Sequence, residues 1–163
     1  MIIVGFDPGI TGAGAAIRIE EMGGVELIDI IDIPTCEDGS NREIDVPALG
    51  AWLEQIQPDI AYVENVTPMP SLVGKRSMGA TSAFRFGGAV FALRATLRAY
   101  SIPVVLKTPQ TWKAAMGLRG SDKEKSRKMA IARLPAAEPF LKRKLDHNRA
   151  DSVLLALYGA AKQ

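Results

Sequence analysis

The chain has 163 residues, of which 47% are hydrophobic and 23% charged, enough for one domain with a proper core. No apolar stretch reaches the roughly 18 residues of a membrane span, and the apolar start at residues 2–6 is too short and lacks the basic leader of a secretory signal. The lone Cys36 excludes internal disulfides and a thiolate zinc site. We therefore expect a single domain, residues 1–163, in the cytoplasm and with no membrane partner.

Charge is divided unevenly along the chain. Residues 1–74 hold two basic and thirteen acidic side chains, whereas residues 75–163 hold eighteen basic and five acidic ones. A strongly positive half is typical of a surface that binds a polyanion such as nucleic acid. A solvated basic face without a partner is the alternative.

The first elements are strands. Residues 2–6, 13–19 and 25–33 are three apolar or alternating runs separated by short glycine-containing turns, which predicts an antiparallel meander. Polar residues 35–45 are expected to form a loop. Pro47 then begins a helix at residues 48–56.

Strands and helices alternate in the rest of the chain. In order, the predicted elements are a strand at 60–63 that ends at Glu64, a helix at 81–100, a strand at 103–106, a helix from 109 to 116 ended by Gly117, a basic helix after 120–122, a break at Pro135 and Pro139, and a final helix at 148–161. A meander followed by this alternation predicts an α/β fold, a mixed sheet flanked by helices.

Three acids occupy apolar settings. Asp7 ends the first strand, Glu64 ends the fourth, and Asp151 lies in the apolar final helix. A carboxylate in such a place is costly unless a cation or hydrogen bonds compensate it. Each acid alone could be a cap, a turn residue or half of a buried ion pair. Together they indicate a site for Mg²⁺ or Mn²⁺, which prefer oxygen ligands.

A fourth ligand is expected near the start of the final helix. Asn148 and His147 lie three and four residues before Asp151 and share its helix face. Asp146 lies five residues back and reaches the site only if it precedes the first turn. We favour His147, then Asp146; the alternative is that Asp146 or Asn148 simply caps the helix.

With these residues identified, the chain resembles a RuvC-type Holliday junction resolvase of the RNase H-like and retroviral-integrase superfamily. The matching pieces, in chain order, are Gly5-Phe6-Asp7-Pro8-Gly9 with Thr11-Gly12, Val63-Glu64, the helix from Arg85 to Arg98, Lys113 with Gly117-Leu118, Glu124-Lys125-Ser126, and Ala150-Asp151-Ser152-Val153-Leu154-Leu155-Ala156. They span nearly the whole chain.

The resemblance implies an RNase H-like mixed five-stranded sheet and a nuclease that resolves four-way DNA junctions. Two Mg²⁺ (or Mn²⁺) ions per active site would hydrolyse the phosphodiester, leaving 5′-phosphate and 3′-hydroxyl ends. Asp7 would bridge both ions, Glu64 and Asp151 would complete their shells, and Lys113 and Lys125 would hold the phosphate. The residues implied as DNA-backbone contacts are Lys75, Arg76, Arg85 and Arg119. The resemblance further implies a homodimer, in contact through the helix around residues 80–97.

The chain departs from the family pattern at two places. Bacterial resolvases usually have an acid or His three residues before the last Asp, where this chain has Asn148. The run 146–151 is closer to phage and prophage members, which implies the cytoplasm of a bacterium or of a phage-infected host. The family also places an aromatic residue shortly after the glutamate, but Asn65-Val66-Thr67 follows Glu64 here.

Three other functions stay open at this point. One is another nuclease of the same superfamily, acting on flaps, other branched DNA or RNA–DNA hybrids. An actin-like or sugar-kinase-like ATPase also has an early strand followed by Asp and Gly-Thr, but that fold needs two such domains. The third is a junction-binding module without catalytic activity.

Overall fold

The computed structural model describes residues 1–39, 41–66, 79–120 and 122–163. In chain order the elements are β1 (Ile2–Asp7), β2 (Ala13–Ile19), β3 (Val25–Asp32), β4 (Thr35–Asp38), β5 (Asn41–Ile44), α1 (Val46–Ile56), β6 (Ile60–Glu64), α2 (Ala80–Ala99), β7 (Val104–Lys107), α3 (Pro109–Ala115), α4 (Lys123–Arg133), a 3₁₀ helix (Pro135–Phe140) and α5 (His147–Ala160).

Five strands form one mixed sheet in the order β3-β2-β1-β6-β7. The pairs β1–β2 and β2–β3 are antiparallel, whereas β1–β6 and β6–β7 are parallel. The predicted antiparallel meander and the predicted mixed five-stranded sheet are therefore confirmed. The central strand β1 is a continuous apolar run because both faces of the sheet are covered.

A separate hydrophobic core lies on each face of the sheet. Side chains alternate between the faces along a strand, so Ile3 joins the core formed with α3, α4 and α5. Its neighbours Val4 and Phe6 join the opposite core, formed with α1 and α2. The helix α5 contacts β1 and β2 extensively and thus lies directly over the centre of the sheet.

Gly5 allows the close approach of α5 to β1. A Cβ atom at this position would overlap the carbonyl oxygen of Ser152 and lie 2.5 Å from the amide nitrogen of Ala156. Since both are backbone atoms, they cannot move aside as a flexible side chain would. Gly5 therefore fixes the distance between the strand that carries Asp7 and the helix that carries Asp151.

Two predictions of irregular structure were wrong. Residues 35–45 contain a β-hairpin, with Thr35 opposite Ile44 and Glu37 opposite Arg42, rather than a loop. Polar side chains suit this hairpin because its two strands pair only with each other and leave much of their surface exposed. The segment around Pro135 and Pro139 forms a 3₁₀ helix rather than a simple break, since proline fits the first turn of a helix.

Across the described ranges, every helix is too short or too polar to cross a membrane.

Candidate active site

Asp7 and Glu64 lie side by side at one edge of the sheet. Their strands are parallel neighbours, with Phe6 paired to Val63, so the residues that follow emerge at the same carboxyl edge. Glu64 is only 8% exposed and Asp7 is partly buried. The expectation that these two acids meet if their strands are adjacent is confirmed.

Asp151 approaches the same edge from above the sheet. It is the fifth residue of α5, and its side chain is 14% exposed. Its Oδ2 atom accepts a hydrogen bond from Lys113 Nζ at 2.8 Å. Its Oδ1 atom is buried and has no hydrogen-bond partner among the described residues, which is an unusual cost for a carboxylate oxygen.

The acids carry more negative charge than their surroundings compensate. Burial raises the pKa of Asp7 well above its usual range, and the nearby charges of Glu64 and Asp151 raise it further. Burial likewise raises the pKa of Glu64, although a hydrogen bond from Trp112 and the charge of Lys113 oppose the rise. Like charges in a desolvated place favour a bound cation or a retained proton.

Helix α3 supplies the two groups that hold the acids. Trp112 is fully buried and its Nε1 atom donates to Glu64 Oε1 at 3.2 Å. The next residue is Lys113, which pairs with Asp151 and has its Nζ atom 4.9 Å from the Trp112 ring centroid. The sequence predicted Lys113 as a site residue but treated Trp112 only as part of the helix.

The three candidates for the fourth ligand have different surroundings. Asp146 is buried, with both oxygens bonded to Arg143: Oδ1 to the guanidinium and Oδ2 to the backbone amide. Burial raises the pKa of Asp146, but these bonds and the charge of Arg143 outweigh that effect and lower it overall. The Nε2 atom of His147 lies 2.7 Å from Lys123 Nζ. Asn148 donates from Nδ2 to the carbonyl oxygen of Thr11 at 2.6 Å.

Asn148 is the member of this trio that shares a cleft with Asp7. The cleft has a volume of about 430 Å³ and is bounded by residues 7–12, Arg85, Phe86 and Asn148. A second cleft, of about 410 Å³, adjoins it along Ile10, Thr11 and Asn148 and reaches His147. The contacts therefore favour Asn148 over His147 and Asp146 as the residue next to the acids.

The remaining predicted contacts are more scattered. Arg85 is exposed and lines the cleft of Asp7. Lys125 and Arg119 are exposed, and the part of the chain that the structure describes contains no ion pair between Lys125 and the acids. Lys75 and Arg76 lie outside the described residues.

The chemistry of the acids suits a divalent cation, although the side chains do not form a complete coordination site. In the described ranges, no three His, Cys, Asp or Glu side chains are grouped closely enough to hold a metal ion as they stand. The oxygen donors, their uncompensated charge and the unbonded Asp151 Oδ1 are nevertheless what Mg²⁺ or Mn²⁺ requires. The ammonium of Lys113 lies beside these acids and is bonded to Asp151.

This sheet order, with helices on both faces and acids at one edge of the central strands, defines an RNase H-like fold. Comparison with solved structures agrees. Thermus thermophilus RuvC in complex with a Holliday junction substrate is similar at a TM-score of 0.66 and 18% identity, over 97% of this chain and 92% of that one. A second structure of Thermus thermophilus RuvC gives 0.63 and 20%, over 99% and 96%.

The yeast mitochondrial Holliday junction resolvase Ydc2 is similar at a TM-score of 0.54 and 13% identity, over 97% of this chain and 78% of that one. A scan against protein-family models finds no match, and a search of curated protein sequences finds none either. The predicted resemblance to RuvC-type resolvases is thus confirmed for the fold. Similarity at these identities shows the fold and not an activity.

Proposed function

We propose that this protein is a metal-dependent endonuclease that resolves four-way DNA junctions. The observation that carries the proposal is the convergence of Asp7, Glu64 and Asp151, with charge left uncompensated, at the carboxyl edge of an RNase H-like sheet. The structural neighbours are a RuvC bound to a Holliday junction and a mitochondrial Holliday junction resolvase, which supports this substrate over others.

The acids would hold Mg²⁺ or Mn²⁺, two ions per site. Bound there, the ions would activate water and stabilise the leaving 3′ oxygen, giving 5′-phosphate and 3′-hydroxyl ends. Asp7, on the central strand, is the natural shared ligand, with Glu64 and Asp151 on either side. Asn148 would add its amide oxygen, because the hydrogen bond to the Thr11 carbonyl uses Nδ2 and leaves Oδ1 as a separate acceptor.

The remaining residues of the site would position the substrate. Lys113 lies next to the acids and can hold the scissile phosphate. Trp112 keeps the Glu64 carboxylate in place through its Nε1–H. Arg85, across the cleft from Asn148, is placed to contact the DNA backbone. Lys125, Arg119, Lys75 and Arg76 stay proposed DNA contacts on the strength of charge alone.

A homodimer is the second part of the proposal. The solvent side of α2 carries an apolar stripe, with Phe84 83% exposed and Phe91 67% exposed. Gly88 and Ala95 are also exposed and lie at the same helical spacing, so the stripe runs along one face. Exposed phenylalanines in a row suggest a buried interface, and packing α2 against its two-fold mate would match the approximate symmetry of a junction.

The dimer is tested by Phe84→Glu. We expect the wild-type protein to sediment as a dimer and the variant as a monomer, because a carboxylate cannot be buried between two apolar helices. The variant should fold normally and lose paired nicking. A wild-type protein that is monomeric at micromolar concentration, or a variant that stays dimeric, would contradict the proposed interface.

The nuclease activity is tested by Asp7→Asn on a set of labelled DNA substrates. Wild-type protein with Mg²⁺ or Mn²⁺ should nick four-way junctions in preference to flaps, forks, duplex DNA and RNA–DNA hybrids. Asp7→Asn should abolish cleavage and retain junction binding, and that binding should weaken steeply as salt rises. Full cleavage by Asp7→Asn would refute the assignment of the site.

The same assay tests a second function, that of a nuclease with broader specificity for branched DNA. The observation that favours it is Asn65-Val66-Thr67, which follows Glu64 where resolvases of this type place an aromatic residue. Equal cleavage of junctions and flaps would support this function over that of a dedicated resolvase.

A further inference from the structure

Lys113 pairs with one of the three acids, Asp151, in this structure. Its Nζ atom lies 2.8 Å from Asp151 Oδ2, and the two side chains are 31% and 14% exposed. The same ammonium lies 4.9 Å from the centroid of the Trp112 ring, and Trp112 is itself bonded to Glu64. The lysine head therefore lies beside the acid cluster, paired with Asp151.

One ammonium cannot satisfy three carboxylates. Asp151 Oδ1 stays buried and unbonded among the described residues, although Oδ2 of the same carboxylate is paired. The pairing with Lys113 already occupies Oδ2 of this carboxylate. A divalent cation that binds Asp151 must therefore compete with the ammonium for Oδ2.

Lys113 can leave this position at low cost. It lies in the last turn of α3, and its flexible stem allows the head to move without backbone change. A partly exposed ion pair of this kind is weak, and a divalent cation brings twice the charge. Release would free the ammonium for an anion beside the acids.

We propose that Lys113 is a latch on the metal site: it occupies Asp151 in the metal-free protein, and a divalent cation displaces it and frees it for the substrate phosphate. The inference rests on the proposed function and adds an order to it. The cation binds first, and the phosphate-holding lysine becomes available only afterwards. Without the cation, the protein would thus lack both the bound metal ion and the free Lys113 ammonium that would act on a phosphodiester.

The test compares Mn²⁺ affinity, measured by titration calorimetry without DNA, in three variants. Lys113→Met and Lys113→Gln remove the competing charge, and we expect each to bind Mn²⁺ about threefold to fivefold more tightly than wild type, the upper part of the range expected for a weak ion pair. Two variants are used so that a folding defect in one does not decide the result.

Lys107→Met is the matched control. Lys107 is the sheet neighbour of Glu64 on β7, so its removal changes the charge near the site by the same amount without breaking the pair with Asp151. We expect its Mn²⁺ affinity to stay within about twofold of wild type, since among the described residues Lys107 forms no ion pair with any of the three acids and a charge without such a pair contributes little. Equal tightening in Lys107→Met would overturn the latch in favour of a general charge effect.

Other outcomes separate the latch from the proposed function. If wild-type protein binds Mn²⁺ and cleaves junctions while both Lys113 variants bind Mn²⁺ no more tightly, the latch is overturned and the nuclease stands. If wild type and all variants fail to bind Mn²⁺ and fail to cleave, the metal-dependent nuclease itself is wrong and the latch falls with it. Tighter Mn²⁺ binding by both Lys113 variants, joined to slower cleavage, is the result we expect.

Discussion

Replacing Gly5 with alanine should damage the stability and the active site together. The added Cβ would meet the backbone of α5 at Ser152 and lie 2.5 Å from the nitrogen of Ala156. An ordinary carbon contact is longer by about 1 Å, so strand and helix must separate by roughly that amount. Asp151 directly precedes Ser152, and the separation therefore moves it away from Asp7.

The expected losses of stability and of cleavage rate follow from this displacement. Overpacking in a core costs about 1–3 kcal/mol, and a collision with backbone belongs at the upper end, about 3 kcal/mol. For a protein of this length, each kcal/mol lowers the melting temperature by about 2–4 °C, which gives a drop of about 6–12 °C. A shift of roughly 1 Å in a catalytic group can reduce the rate by about 100-fold.

Urea denaturation and junction cleavage by the same preparation measure both effects. Gly24→Ala is the control, because a Cβ there would meet only the Glu20 side chain, at 3.8 Å or more, and should leave stability and cleavage unchanged. If Gly5→Ala unfolds within about 0.5 kcal/mol of wild type and cleaves at a comparable rate, then Gly5 does not set the spacing between the acids.

Two further predictions concern the acids. Trp112→Phe removes the Nε1–H donor to Glu64. It should cost about 1–3 kcal/mol of stability and weaken Mn²⁺ binding. The control is Trp52→Phe, which removes a similar bond to Asp29 and should affect stability alone. The pKa of Asp7 is raised above its usual 3.8, so the folded state retains its proton longer than the unfolded chain. In metal-free protein, urea denaturation should show stability falling as pH rises from about 4 through that raised pKa, and Asp7→Asn should reduce the fall; a pH-independent stability would contradict the raised pKa.

Much of the fold could be predicted from the sequence because its strands are short apolar runs bounded by glycine or proline. Residues 2–6 predicted β1 well, and the acid directly after this apolar strand indicated a candidate site. The hairpin at 35–44 was missed because its strands face solvent and pair only with each other. Their polar residues resemble those of a loop, and only the pairing distinguishes the two.

The site could be predicted in part for a different reason. Strand order brings Asp7 beside Glu64, and apolar patterning alone indicates that both are unusual. The choice among Asp146, His147 and Asn148 depends on where the first turn of α5 begins and on which polar groups lie nearby. In the structure Arg143 bonds Asp146 and Thr11 bonds Asn148, and the second contact could not be predicted locally because Thr11 is distant in sequence.

What separates the proposed catalytic acids from the structural ones is the compensation of their charge. Asp32 receives two hydrogen bonds from Arg149, 117 residues away, and these bonds lower its pKa. Arg127 likewise lowers the pKa of Glu124 through a direct hydrogen bond.

Asp7 and Glu64 shift in the opposite direction, because the fold buries them and surrounds them with other carboxylates. A protein gains no stability from such an arrangement in the absence of a cation. A bound cation would compensate this charge, as the proposed site requires, and the ammonium of Lys113 pairs with Asp151 alone.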